Sequence, residues 1–357
     1  MNKILTIVIP TYNMEKYLRY NLNSLIVPEK EQGILEVLIV NDGSKDSSSA
    51  IGHEYQEKYP EVFHVIDKPN GNYGSCVNRG LAEAKGKYIK ILDADDSFDN
   101  GNLVKFLNKL VTCKADAVVT DYSNVTPEDV LIEHRTFSFE PDRTYDIEDI
   151  CTKCDFKKIA MHALTYKTDQ VRELNYHQTE GISYTDQEWI FLPMINMHTV
   201  VYFTLDLYQY MIGREGQTMD PEVIARNLGH YFKLLNNRIN EMARRQLKLS
   251  SAMEEYLYYK SMLLATFIYR AVLIRRVGNL SDLAALDGKI RVSDIKLYAM
   301  LEEEKMKGTS FHYIRYFHRH HTRIPIVFSW VYNKFYTYVK IRNMQKKCKA
   351  WSNKTGA

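Results

Sequence analysis

Cysteine is scarce in this chain: 357 residues carry five, at positions 76, 113, 151, 154 and 348. So few thiols, odd in number, exclude a disulfide framework and point to a reducing compartment. Cys151 and Cys154 make a C-x-x-C, but a structural zinc site needs four ligands and no second pair exists, so they read as ordinary thiols. Long apolar runs are also missing. Residues 261–274 come nearest to a membrane span, yet they fall short of the ~18 residues required and contain Arg270. The opening MNKILTIVIPTYN is apolar only from Ile4 to Ile9 and lacks a small-residue cleavage pattern, so it reads as a buried strand rather than a signal peptide. Neither G-x-G-x-x-G nor a P-loop occurs, which removes the dinucleotide and nucleoside-triphosphatase readings. Acidic residues vanish from Lys305 onward, where twelve Lys and Arg gather; the first 304 residues are therefore at −9 although the whole chain is at +3.

What is present is the composition of a folded protein, 45% hydrophobic and 25% charged, long enough for one large domain or two ordinary ones. Short apolar runs at 4–9, 35–40, 62–66, 87–92 and 116–120 alternate with helix-like stretches near 14–25, 46–58, 74–84 and 101–110. Runs of continuous Val, Ile and Leu imply strands buried on both faces, hence an α/β fold with a mostly parallel sheet and helices on each side. Ligands bind such sheets outside the carboxyl ends of the strands.

Polar clusters stand at those ends. Pro10, Thr11, Tyr12 and Asn13 follow the first run; proline would stop the ladder, leaving hydroxyls, an amide and an aromatic face for a nucleobase, or simply a turn. Asn41 to Ser44 follow the second, with Asp42 as an acceptor for a base N–H; this too could be only a turn. In KPNGNYGSCVNRGL, Gly71 and Gly74 would admit a ligand close to the backbone. Asn78 and Arg79 would lie on the opening turns of a helix whose positive end favours a pyrophosphate. GKYIKILDADDSFD then drives a strand into Asp93, Asp95, Asp96 and Asp99, four carboxylates in seven residues that need water, a basic group or a hard cation beside them.

TIVIPTYN, VLIVNDGSKD, the stretch from Asn70 to Leu81 and GKYIKILDADD, in this order and spacing, resemble the family 2 glycosyltransferases of the GT-A fold. The resemblance is close over about the first 125 residues and looser to about 220. It implies that Thr11, Tyr12 and Asp42 hold the nucleotide base, with Pro10 and Asn13 also in the nucleotide-sugar site, while Asn70, Gly71 and Asn78 shape the nucleotide pocket. Asp93, with Ala94, would contact ribose or sugar, and Asp95 would ligate Mn²⁺ or Mg²⁺ on the diphosphate. Asp96 and Asp99 would form the supporting turn and a helix cap. Many relatives carry Arg just before the Asn of the glycine loop; here that residue is Val77, with Arg79 two positions later.

GISYTDQEWIFLP resembles the family's acidic signature ahead of an apolar helix, which makes Asp186 the general base and Glu188 the runner-up; as plain sequence, Asp186 could equally cap that helix. Relatives commonly place His near Arg214. Here a guanidinium would meet the diphosphate, or else form a surface ion pair.

The implied organisation is a catalytic domain over 1–220, a helical extension over 221–304 and a basic, aromatic region over 305–357. That last region, with four His and no acid, fits an anionic membrane surface better than nucleic acid, or a basic helical pair packed on the core. The expected protein is an inverting glycosyltransferase, cytoplasmic and peripheral on the inner face of the cell membrane. It would move a hexose or N-acetylhexosamine from a UDP-sugar to a glycan or lipid-linked acceptor. A non-catalytic membrane- or glycan-binding scaffold on the same fold is the alternative.

Overall fold

Runs of Val, Ile and Leu become strands buried on both faces. In the computed structural model, which describes residues 2–214, 221–245, 249–330, 332 and 334, β1 (Leu5–Thr11) and β2 (Leu35–Asn41) are buried at every position. They are followed by β3 (Phe63–Asp67), β4 (Tyr88–Ile91), β5 (Ser97–Phe98), β6 (Ala117–Val125), β7 (Leu131–Arg135), β8 (Thr144–Asp146), β9 (Leu164–Lys167) and β10 (Thr199–Met211). The sheet order is β3-β2-β1-β4-β9-β6-β10-β5, with β7 on β6 and β8 on β10.

The block β3-β2-β1-β4 is parallel throughout, as is the β6–β10 pair. Beyond β4 the sheet is mixed, a refinement of the mostly parallel expectation. β9 enters in reverse between β4 and β6, with Ile89 opposite Tyr166. An antiparallel neighbour starts where β4 ends, so the turn Met161–Ala163 that precedes β9 is delivered to the carboxylate-rich end of β4.

Helices Glu15–Asn23, Ser48–Lys58, Asn72–Glu83 and Asn100–Thr112 connect the strands and lie close to the expected spans. Each buries a stripe at helical spacing; Leu103, Phe106, Leu107 and Leu110 supply the last one. Truncating such a buried leucine to alanine costs about 2–5 kcal/mol. Asp99 stops β5 from running on and caps the fourth helix, its Oδ1 accepting from Asn102 N at 2.7 Å.

Pro10 does not end β1. It pairs with Val40 inside the strand. Even-numbered residues of β1 direct their backbone toward β4, where Val8 O accepts from Leu92 N. At Pro10 that neighbour has already ended at Ile91, so the missing N–H removes no ladder bond.

The chain divides into two compact units, Met1–Asp220 with Lys248–Leu257, and Pro221–Leu247 with Tyr258–Ala357. In the second, Leu234, Leu235, Ile239, Leu264, Ile268, Leu283 and Ile290 are buried at helical spacing. The helix Tyr313–His320 buries Tyr313, Ile314 and Phe317 in the same unit, so the region from 305 does not begin a separate part. Residues 335–357 of the expected basic tail lie outside the described residues. One expectation is corrected: Ser251–Ile274 forms a single 24-residue helix long and apolar enough to cross a membrane, because the helix starts ten residues before the run read from sequence. Of its most apolar window, 67% is buried inside the protein, which is the pattern of a core helix.

Candidate active site

Three loops converge at the carboxyl ends of β1, β2 and β4. The first is organised by Asp42, only 2% exposed. Its Oδ1 accepts from Gly71 N at 2.9 Å and its Oδ2 from Asn72 N at 2.8 Å, while the Lys68 ammonium pairs with Oδ1. Asn70 Nδ2 donates to Asp42 O at 3.0 Å. Asp42 thus shapes the 68–72 loop, and a carboxylate's remaining lone-pair capacity is what it can offer a base N–H. Asn13, at φ 53°, accepts from Lys45 N at 2.8 Å and ties the end of β1 to the 43–46 loop. Tyr12 stands 45% exposed at the mouth. Thr11 departs from expectation: its hydroxyl is buried and donates to Ile9 O at 3.0 Å, so it does not face the crevice.

The second loop is the carboxylate knot. Asn21 Nδ2 donates to Asp93 O and Asp96 O, at 2.9 and 2.8 Å, and so clamps the turn from below. Asp96 is fully buried; Tyr208 OH donates to its Oδ2 at 2.6 Å and Met211 N to its Oδ1 at 2.7 Å. Burial, then the charges of Asp95 and Asp93, push its pKa up. Asp96 therefore supports the turn and fastens β10 to it. Ala94 is another departure, since its side chain lies 2% exposed in the hydrophobic core.

Asp93 is partly buried and accepts from Tyr73 OH at 2.7 Å, which joins the Asp42 loop to the knot. Burial, then the neighbouring Asp95 charge, pushes the Asp93 pKa up to about 7; Asp186 adds to the rise and Arg214 opposes it. Asp95 pairs with Arg214 through Nε, and the guanidinium carbon lies 5.4 Å from the centre of the Tyr17 ring. Residues 215–219, which complete the segment after Arg214, lie outside the described residues.

The third loop, 177–189, carries Asp186. It is held by Asn78, whose Oδ1 accepts from Gln178 N at 2.7 Å and whose Nδ2 donates to Gln178 O at 2.9 Å. Asn78 sits in the middle of helix Asn72–Glu83, not at its opening turn, because the helix starts earlier than the sequence suggests. Arg79 likewise makes an exposed ion pair with Glu83 one turn on. Gly74 serves this loop rather than a ligand, for a Cβ there would fall 2.1 Å from Thr179 O. Glu188, the runner-up base, is 4% exposed and takes Thr179 N at 2.7 Å and Thr179 Oγ1 at 2.6 Å, so it positions the loop. Asp186 opens the short helix Asp186–Trp189, and its charge reaches Asp93 and Tyr73.

His162 was not foreseen. The turn before β9 carries no motif, and only the reversed entry of β9 brings it here. Ligand atoms of His162, Asp93 and Asp96 all lie within 4.8 Å of one another. Its ring stacks on Tyr210, 4.4 Å between centres, and Nδ1 is buried without a partner among the described residues. Burial, then the Lys90 ammonium, pushes its pKa down to about 3, which keeps the imidazole neutral. Lys90 is itself fully buried on β4, with Nζ donating to His162 O at 2.7 Å and Leu164 O at 3.1 Å. Hard carboxylate oxygens suit Mn²⁺ or Mg²⁺, and a neutral imidazole beside them favours Mn²⁺ of the two.

Residues 6–169 match the glycosyl transferase family 2 model. The matched segment holds the Asp42 loop, Asp93 to Asp96 and His162. Over 97 residues it is 42% identical to the uncharacterized glycosyltransferase MG025 homolog of Mycoplasma pneumoniae, covering 27% of this chain and 32% of that one. Over 103 residues it is 37% identical to the minor teichoic acid biosynthesis protein GgaB of Bacillus subtilis, covering 29% and 11%. The matched segments thus span a third or less of these relatives. Among solved structures, S. aureus TarS 1–349 in complex with UDP-GlcNAc superposes with a TM-score of 0.56 at 18% identity, covering 84% of this chain and 90% of that one. The shared fold is GT-A, with a mixed sheet, helices on both sides and a helical carboxyl-terminal region.

Proposed function

We propose that the chain is an inverting glycosyltransferase that moves a hexose or N-acetylhexosamine from a UDP-sugar to a hydroxyl of a glycan or lipid-linked acceptor in cell-surface polysaccharide synthesis. The observation that carries the reading is the convergence of Asp93, Asp95 and Asp186, joined through Tyr73 to the Asp42 loop, at the one sheet edge where GT-A ligands bind. The family 2 match supports the transfer chemistry, and the TarS complex and GgaB support a UDP-sugar and a cell-wall acceptor.

Asp186 accepts the acceptor's hydroxyl proton as the oxygen attacks the anomeric carbon. The bond to the diphosphate breaks with its electron pair leaving on UDP, and the carbon inverts. Asp93 orients ribose or sugar, with Tyr73 fixing its carboxylate. Asp95 would hold the divalent cation, with Asp93 and His162 as the further ligand candidates; when bound, the cation neutralises charge on the leaving diphosphate. Arg214, already beside Asp95, turns to the diphosphate oxygens.

Mass spectrometry of products from a panel of sugar nucleotides and lipid-linked acceptors tests the proposal. Transfer from a UDP-sugar, lost in Asp186→Asn, is expected. If no nucleoside diphosphate, with or without Mn²⁺, shifts the melting temperature, the site binds no donor and the transferase reading fails.

A further inference from the structure

We infer that the outward face of the helical segment after Pro325 is a docking surface for an anionic lipid membrane. Residues 326–330, 332 and 334 are helical. At 100° per residue, Ile326, Val327, Trp330 and Lys334 share one face, and Phe328, Ser329 and Tyr332 share the opposite one. The second face holds the segment in place: Phe328 stacks on Phe311 with ring centres 4.7 Å apart, and Ser329 and Tyr332 are buried. The first face is turned out, with Ile326 71%, Val327 61% and Trp330 56% exposed. Single exposed apolar residues need no explanation, but three large ones side by side on one face mark an interaction surface.

Charge selects the occupant. Lys334 lies over the Trp330 ring, Nζ 4.2 Å from its centre, so the aliphatic stem covers apolar surface while the ammonium stays outside. Arg319, His320 and His321 stand exposed at the end of the preceding helix. No Asp or Glu occurs anywhere from Lys305 onward. Two copies of so cationic a border repel each other, and nucleic acid has no use for Ile326 and Val327. Tryptophan at headgroup level, aliphatic side chains below it and lysine reaching for phosphate are the parts of an interfacial membrane contact. Each basic residue at an anionic surface adds roughly 1 kcal/mol. The neighbouring helix Tyr313–His320 spends its apolar face on the core and cannot serve, which confines the contact to the later segment.

The test is flotation of the full chain with phosphatidylcholine vesicles, with and without phosphatidylglycerol. The protein is expected to float with the anionic vesicles, to be released by salt, and to lose about tenfold or more in affinity in the triple variant Ile326→Ser, Val327→Ser, Trp330→Ser. An unchanged melting temperature shows that the variant is folded, as these side chains are solvent-facing. In a Trp351→Phe background, where only Trp330 and the buried Trp189 emit, the emission should shift to the blue on vesicle addition. Equal binding by the triple variant overturns the inference, as does equal binding to neutral vesicles. So does concentration-dependent self-association that the triple variant abolishes while vesicles leave the protein in solution. None of these readouts depends on sugar transfer.

Discussion

Arg214 pairs with Asp95, the carboxylate expected to take the divalent cation, and both side chains are largely buried. A cation and the Arg214 guanidinium would therefore compete for one carboxylate. A charge-assisted bond of this kind contributes about 1.5–3 kcal/mol. Arg214→Ala is expected to bind Mn²⁺ about tenfold more tightly in the nucleotide-free state, read by electron paramagnetic resonance titration. The same variant should bind UDP weakly, because the diphosphate loses its guanidinium partner. Unaltered Mn²⁺ affinity would show that the pair does not guard the site.

Asp186 and Glu188 are separated by what already holds them. Glu188 is committed to Thr179 through both oxygens, whereas the charge of Asp186 is felt at Asp93. Asp186→Asn should lower kcat by about 10²- to 10⁴-fold, the range of a lost general base, with donor binding within about twofold of the parent. Glu188→Gln should instead lower the melting temperature, since a buried acceptor pair loses strength at a cost of about 1–3 kcal/mol. Calorimetry beside steady-state kinetics distinguishes the two; a kcat defect confined to Glu188→Gln would exchange their roles.

The parallel half of the fold and its acidic centre were legible because local signals and tertiary demands agree there. Val, Ile and Leu runs gave β1 to β4 to within about two residues, and the family resemblance marked Asp42, Asp93 and Asp186 in loops that do meet. Orientation was not legible. Thr11 ends β1 and Ala94 follows β4, both where expected, yet the Thr11 hydroxyl bonds back to Ile9 and the Ala94 side chain enters the core. Asn78 has the polarity of a ligand group but spends it on the backbone of Gln178. His162 was invisible for a different reason: its place depends on a strand that enters the sheet in reverse, which no local pattern records.

His162 separates binding from stability. Its Nδ1 is buried among rings of Tyr122, Tyr208 and Tyr210 with no partner among the described residues, so removing the polar atoms should not harm the fold. His162→Phe is expected to keep or raise the melting temperature while weakening Mn²⁺ binding about tenfold. The pH dependence has a definite sign. The unfolded chain takes up a proton near the ordinary value of 6.5, whereas folded His162 refuses it until about 3, so the parent loses stability as pH falls below 6.5. The Phe variant should lose that part of the slope in melting curves between pH 4 and 6.5.

In the second unit a histidine behaves in the opposite sense. His318 Nε2 lies 2.8 Å from Asp287 Oδ1 and its Nδ1 3.0 Å from Glu302 Oε1, with the ring stacked on Tyr298 at 4.1 Å. Burial lowers the pKa of this imidazole, but the bonds and charges of Asp287 and Glu302 more than offset it, and the net shift is upward. The folded state therefore keeps a proton that the unfolded chain releases above its ordinary value. This stabilisation is fully present below pH 6.5 and is lost as pH rises through the raised folded value. His318→Gln, which cannot carry the charge, should lower the melting temperature most at mildly acidic pH and least at alkaline pH. A deficit that does not shrink as pH rises would assign the His318 contribution to packing against Tyr298 rather than to its charge.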